Sequence, residues 1–146
     1  MHRTIIISLA LAVGNVALAA PSNNPLSAVQ NAFECKQRLA NTPAIRTVLG
    51  NKEKTELHES DLNGNYTLSQ PIKVFGFEIH QVQISENNDT GTSYSFTLAK
   101  SELKNLAQAA KLKPNDGRYY RTIKGGHIEA GNSSTGNIAL SCIWAG

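Results

Sequence analysis

The spacing of apolar residues constrains the fold most strongly, because it changes from a helical to a strand period along the chain. Over residues 25–40 the apolar residues recur at helical spacing, and Asn24-Pro25 provides a cap residue followed by proline at the first helical position. Thr42-Pro43 repeats this start signal and predicts a short second helix over residues 44–49. From residue 55 onward apolar and polar residues alternate, which is typical of strands with one buried face.

The alternating part of the chain predicts a series of strands interrupted by one further helix. Asn63-Gly64 is a strong signal for a tight hairpin turn, Gly76 within an alternating stretch indicates a bulge, and residues 85–92 are polar enough for an exposed loop. Ser101 is expected to cap a helix whose apolar stripe ends near Ala110. The predicted strands cover residues 55–62, 65–70, 72–84, 94–98, 118–124, 127–130 and 137–144.

This order of elements predicts a single α+β domain. We expect a mainly antiparallel sheet of about six to seven strands, packed by an N-terminal helix, a short second helix and one later helix. The chain has 146 residues, of which 40% are hydrophobic and 17% charged. It is therefore too short for a multidomain enzyme and too apolar for a disordered tail, and it can bury a core without a metal.

The first 19 residues are expected to be a secretory signal peptide and not part of the fold. A short cationic start precedes an apolar stretch of about ten residues and then Ala17-Leu18-Ala19, which predicts cleavage after Ala19. The apolar stretch is shorter than the roughly 20 residues that a membrane-spanning helix needs. We therefore expect a bacterial periplasmic or secreted protein whose single domain covers residues 20–146.

The export signal changes the interpretation of the two cysteines, Cys35 and Cys142. Disulfides persist in oxidising compartments, and two cysteines allow only one intramolecular connection. Neither cysteine lies in a Cys-x-x-Cys pair or in a recognisable nucleophile motif. The sequence therefore predicts a Cys35–Cys142 disulfide that ties the first helix to the last strand.

The chain carries no recognisable catalytic or metal-binding motif. His58, His80 and His127 are not spaced as local metal-ligand pairs, and Glu59 and Asp61 are interpreted as two solvated carboxylates on one strand face. The stretch that begins at Asp61 lacks the carboxylate that a calcium-binding loop needs at its twelfth position. We therefore expect no catalytic residue, no metal site and no cofactor.

A basic stretch over residues 100–124, with seven basic and two acidic residues, is the most distinctive charge pattern. Because strand side chains alternate, Arg118 and Tyr120 should share one face of the sheet, with Arg121 on the other. An exported chain meets acidic protein surfaces or envelope polyanions more often than nucleic acid. Arg118, Tyr120 and Arg121, or the loop at 85–92, are therefore the candidate partner-binding residues.

These features favour an exported small binding protein, such as an inhibitor, an immunity protein or an envelope-interaction module, that acts through its surface and not by catalysis. The expected partner is a protein or an anionic envelope component, with no nucleic acid and no membrane span. The alternative is a small periplasmic hydrolase or metal-dependent enzyme that uses His58, His80, His127 and nearby carboxylates. A structural subunit of an envelope assembly is a third hypothesis, which a large exposed apolar patch would support.

Overall fold

The computed structural model describes residues 24–53, 61–87 and 89–146. Within them the chain forms the predicted α+β fold, with one antiparallel sheet of eight strands and three α-helices. The predicted signal peptide at residues 1–19 lies outside the described residues. None of the described helices is long and apolar enough to cross a membrane.

The sheet makes up most of the fold, and the last strand of the chain lies near its middle. The helices are α1 (Pro25–Phe33), α2 (Pro43–Leu49) and α3 (Leu103–Ala109), and a 3-10 turn at Lys100–Glu102 precedes α3. The strands are β1 (Asn51–Lys52), β2 (Gly64–Val74), β3 (Phe77–Asn87), β4 (Gly91–Leu98), β5 (Lys113–Asn115), β6 (Arg118–Ile123), β7 (Gly126–Asn132) and β8 (Ile138–Trp144). Their order in the sheet is β1-β2-β3-β4-β8-β7-β6-β5.

Two of the three predicted helix starts are confirmed, but Ser101 lies inside the 3-10 turn and does not cap α3. Helix α1 is also shorter than its apolar spacing indicates. The Asn24 side chain accepts a hydrogen bond from the Leu26 amide, and the Thr42 hydroxyl accepts one from the Ile45 amide, so each helix begins with a satisfied cap. The spacing predicts helix up to residue 40, whereas α1 ends at Phe33. The reason is Cys35, whose left-handed backbone (φ 61°) turns the chain out of the helix.

The first tight hairpin turn lies at Phe75-Gly76 and not at Asn63-Gly64. Val74 pairs with Phe77, and Phe75 and Gly76 take φ angles of 50° and 86°, as a two-residue type I′ turn requires. Asn63 is held elsewhere, because its side-chain amide exchanges hydrogen bonds with the main chain of Glu86 on β3. The glycine interpreted as a strand bulge is therefore a turn residue.

The strand count and boundaries also differ from the prediction. Residues 65–70 and 72–74 form one strand, β2, whose register shifts between Thr67 and Ile72 around Pro71. Residues 85–87 and 91–92 of the predicted loop at 85–92 belong to strands instead, since β3 runs to Asn87 and pairs there with Gly91 of β4. The short strands β1 and β5 were not predicted, because two or three polar residues carry no alternation. Most of the predicted strand at 55–62 lies outside the described residues.

The predicted disulfide between Cys35 and Cys142 is confirmed. It joins the turn after α1 to the central strand β8, and both cysteines are buried. All three helices contact the sheet, α2 at β2, α1 at β2, β4 and β8, and α3 at β7. Their contacts bury one face of the sheet, and the core there includes Phe33 of α1 and Tyr94 of β4.

Each edge of the sheet carries an exposed proline close to an exposed lysine. Pro71 and Lys73 lie in β2 beyond the segment that pairs with β1, and Lys113 and Pro114 lie in β5. Proline lacks the amide that a neighbouring strand would need, and edge lysines disfavour strand addition. A partner that adds a strand to this sheet is therefore disfavoured at both edges.

Two buried tyrosines predict a loss of stability at alkaline pH. Burial raises the pKa of Tyr94 above its ordinary value, and burial, reinforced by the Asp61 carboxylate, raises the pKa of Tyr66. The unfolded chain releases these protons near pH 10 while the folded chain retains them, so the free energy of unfolding should fall as the pH rises above about 10. Urea unfolding between about pH 8 and pH 11 measures this loss.

The free energy of unfolding of the variant Tyr94→Phe should fall less at alkaline pH than that of the wild type, since the variant lacks one of the two buried tyrosine hydroxyls. Tyr120→Phe is the matched control, because it keeps both of them. If the free energy of unfolding of Tyr94→Phe falls at alkaline pH as much as that of the wild type, the Tyr94 hydroxyl does not cause the pH dependence.

Candidate functional site

The face of the sheet opposite the helices, here called the open face, is polar. Strand side chains alternate between the two faces, so residues on either side of the buried Val82, Phe96 and Leu140 point to the open face. These positions carry hydroxyl, carboxamide and small side chains, namely Gln81, Gln83, Ser95, Thr97, Ala139 and Ser141. The open face therefore carries hydrogen-bonding side chains, whereas the other face carries the apolar side chains that pack against the helices.

One row of paired residues crosses this open face from strand to strand. The register places its members side by side on β2, β3, β4, β8, β7 and β6, in the order Asn65, Gln83, Ser95, Ser141, Glu129 and Tyr120. Glu53, directly after β1, extends the row, because its carboxylate accepts a hydrogen bond of 3.0 Å from the Asn65 amide. Neighbouring strands thus align polar side chains across most of the sheet.

Two adjoining depressions follow this row, and together we call them the groove. The first has a volume of about 360 Å³ and extends from Glu53 across β2, β3 and β4 to β8. The second, of about 170 Å³, extends from β8 across β7 to Arg118 on β6. Both are lined by Ala139 and Ser141, so the two depressions adjoin at β8.

Small side chains account for the depth of the groove. Ser95, Ala139 and Ser141 occupy the central strands, and Gly131 of β7 has no side chain at all. The Ser141 hydroxyl lies 2.9 Å from that of Ser95, which in turn lies 3.1 Å from the Ser93 hydroxyl. Each hydroxyl can donate one hydrogen bond and accept others. The three linked hydroxyls can therefore bind a ligand that offers either hydrogen-bond donors or acceptors.

Charged and aromatic side chains lie at the β6 end of the groove. The Arg118 guanidinium forms an ion pair of 3.2 Å with the Glu129 carboxylate, and its aliphatic part lies over Gly131. The Tyr120 ring stacks on the His127 ring, with centroids 5.0 Å apart and planes at 28°. This end therefore combines a partly exposed aromatic ring with a paired cation.

The structure brings only two of the three candidate partner-binding residues together. Arg118 and Tyr120 both lie on the open face, as strand alternation predicts. Arg121 lies on the helix-covered face, opposite the buried Ile128, and its Nε is buried with no partner among the described residues. A role for these residues in partner binding stays a prediction. Of the three, Arg118 lines the groove, whereas Tyr120 lies on the same face next to the lining residue Glu129.

The two described histidines lie far apart. His80 on β3 forms an exposed ion pair of 2.9 Å with Glu78, whereas His127 on β7 stacks on Tyr120. Strands β4 and β8 lie between β3 and β7, so the two strands are roughly 14 Å apart at strand spacings of about 4.8 Å. His58 lies outside the described residues, and no group of three metal-binding side chains occurs among those that are described.

Sequence reasoning missed the groove itself, although one signal for it is present. Gln81 and Gln83, Ser93 and Ser95, and Ser141 occupy the polar positions of their strands with uncharged hydrogen-bonding side chains. An ordinary solvated strand face is richer in charged residues. What the sequence does not reveal is that β4 and β8 are neighbours, which brings these positions together.

Comparisons with known proteins do not assign the chain to a family. No protein-family model matches it, and neither the curated proteins nor the solved structures gave a significant match. The candidate site therefore rests on the residues that line the groove and on their geometry.

Proposed function

We propose that this chain is an exported small binding protein that holds its ligand in the groove of the open face and does not act by catalysis. The observation that carries the proposal is the pair of adjoining depressions that share Ala139 and Ser141 and together extend from Glu53 to Arg118. Export is supported by the predicted signal peptide and is compatible with the disulfide. Arg118 and Tyr120 contact the ligand at the β6 end.

The rest of the described surface supports the choice of this face. The helices cover the other side of the sheet, and the edges carry Pro71 and Pro114 where an added strand would have to pair. A ligand that uses the sheet must therefore contact side chains on the open face. Concave sites with a few convergent polar groups are the usual form of binding sites in proteins.

The hydrogen bonds in the groove support binding over catalysis. The partner of the Ser141 hydroxyl is the Ser95 hydroxyl, and that of the Glu129 carboxylate is Arg118. A nucleophilic serine would instead need a base such as histidine within hydrogen-bond reach. The described lining residues therefore offer groups that position a ligand, and none of their hydroxyls is paired with a base that would activate it.

Blocking the groove tests the proposal. Ser141→Arg places a long side chain at the point where the two depressions meet, beside Glu129, which can pair with it. Gln108→Arg adds the same charge to an exposed position of α3 and is the matched control. The immobilised domain of residues 20–146 should capture a component of the producing cell's envelope, and Ser141→Arg should reduce that capture at least about tenfold, a loss of about 1.4 kcal/mol.

Gln108→Arg should capture the same component as the wild type. Equal capture by Ser141→Arg, or capture of nothing by the wild-type protein, would contradict binding through the groove. Circular dichroism and a thiol titration show that each variant is folded with its disulfide closed.

A further inference from the structure

We propose that the ligand of the groove is a linear glycan chain of uncharged sugars, an inference that rests on the proposed function and specifies its ligand class. The structural basis is a row of hydroxyl and carboxamide side chains that has charged residues only at its two ends. An aromatic ring continues the row on β6.

The hydrogen-bonding character of the groove fits sugar hydroxyls. The side chains of Asn65, Gln83 and Ser95 each provide both a donor and an acceptor, as do those of Gln81, Thr97 and Ser141. A sugar hydroxyl is likewise both donor and acceptor, so it can bond such a side chain in either direction. A surface of this kind can hold many hydroxyls in succession without leaving a polar group unpaired.

The charges of the described lining residues disfavour a polyanion. Glu53 is the one charged residue that lines the first depression, and the second is lined by Arg118 and Glu129, which neutralise each other. Binding of anionic polymers depends on several cations along the binding path. Here the groove offers one paired arginine and two carboxylates, so an uncharged polymer fits better.

The apolar content of the groove disfavours a protein partner. Protein interfaces depend on a few large apolar or aromatic anchors that fill pockets. The large apolar residues that line the groove, Tyr66, Val82 and Phe96, belong to the core and are at most 5% exposed. The backbone of the strands is paired within the sheet and offers a peptide no ladder to join.

The length of the groove and its aromatic end fit a chain of several sugars. From β1 to β6 the groove crosses seven strands, a span of roughly 29 Å at a strand spacing of about 4.8 Å. Tyr120, the register partner of Glu129, lies next to this end without lining the second depression, and the stacking on His127 fixes the orientation of its ring. The face of the Tyr120 ring that does not stack on His127 can stack on the apolar face of a sugar ring.

Calorimetric titration of the disulfide-bonded domain with three neutral hexasaccharides, maltohexaose, cellohexaose and N-acetylchitohexaose, tests this inference. At least one should bind, and its disaccharide should bind at least about tenfold more weakly, because the disaccharide fills a small part of the groove. Ser141→Gln, which fills the groove without adding charge, should weaken hexasaccharide binding by about tenfold or more, and Tyr120→Ala should weaken it severalfold. Gln108→Arg should bind as the wild type does.

The inference is overturned if none of the three hexasaccharides binds, if Ser141→Gln binds them as tightly as the wild type, or if heparin binds more tightly than all of them. The capture experiment separates this failure from failure of the proposed function. If hexasaccharides fail but Ser141→Arg still abolishes capture of an envelope component, the groove binds another class of ligand and the proposed function stands. If capture is independent of Ser141, both fail.

Discussion

Removal of the Cys35–Cys142 disulfide is expected to lower the free energy of unfolding by about 4–5 kcal/mol. The two cysteines are 107 residues apart in the sequence, so the bond restricts most of the unfolded chain. A domain of this size has a net stability of about 5–15 kcal/mol, and the bond therefore supplies a large share of it.

Urea unfolding of the wild type and of the variant Cys35→Ala/Cys142→Ala measures this loss. Reducing the disulfide of the wild type should lower its urea midpoint to about that of the double alanine variant. The midpoint of the alanine variant should not change on reduction, because that variant has no disulfide to reduce. Thiol titration of the unfolded, unreduced wild type should find no free thiol. A stability difference below about 1 kcal/mol would show that the unfolded chain is restricted by something other than this bond.

The features that could be predicted from the sequence are those determined by neighbouring residues or by compartment. The starts of α1 and α2 depend on Asn24-Pro25 and Thr42-Pro43, whose caps act within three residues. The disulfide was predictable because the predicted export signal favours an oxidising compartment and two cysteines allow one intramolecular pairing. Strand alternation likewise placed Arg118 and Tyr120 on the same face of β6.

The features that could not be predicted depend on residues distant in the chain. Asn63-Gly64 has the better local signal for a turn, yet Asn63 bonds the main chain of Glu86 on β3, and the turn forms at Phe75-Gly76. Strand β1 exists only because β2 lies beside it, since two polar residues have no strand preference of their own. Long-range pairing outweighs local preference in both cases.

The groove also depends on contacts between residues that are distant in the chain. Ser95 and Ser141 are 46 residues apart in the sequence, and they bond because β8 inserts beside β4 in the centre of the sheet. The uncharged polar positions on each strand were visible in the sequence, but their alignment into one row depends on strand order. A single sequence does not reveal that order, whereas the basic stretch at 100–124 is visible without it.

The second large effect is expected from Phe33→Ala, which should destabilise the fold by about 3–5 kcal/mol. Phe33 is fully buried between α1 and the sheet, and its ring meets the ring of Tyr94 edge to face, with centroids 5.6 Å apart. The Tyr94 hydroxyl in turn accepts a hydrogen bond of 2.9 Å from the Leu39 amide. Truncation therefore leaves a cavity beside the Tyr94 ring, which links β4 to the segment after α1.

Phe33→Leu is the matched control for this cavity, because it keeps most of the buried volume and should cost clearly less than Phe33→Ala in urea unfolding. Phe33 lies on the helix-covered face, so both variants should retain ligand capture under conditions where they are folded, unlike Ser141→Arg. Equal destabilisation by leucine and alanine would indicate that the aromatic contact with Tyr94 outweighs the cavity. Loss of capture in folded Phe33→Leu would show instead that the shape of the groove depends on how α1 packs against the sheet.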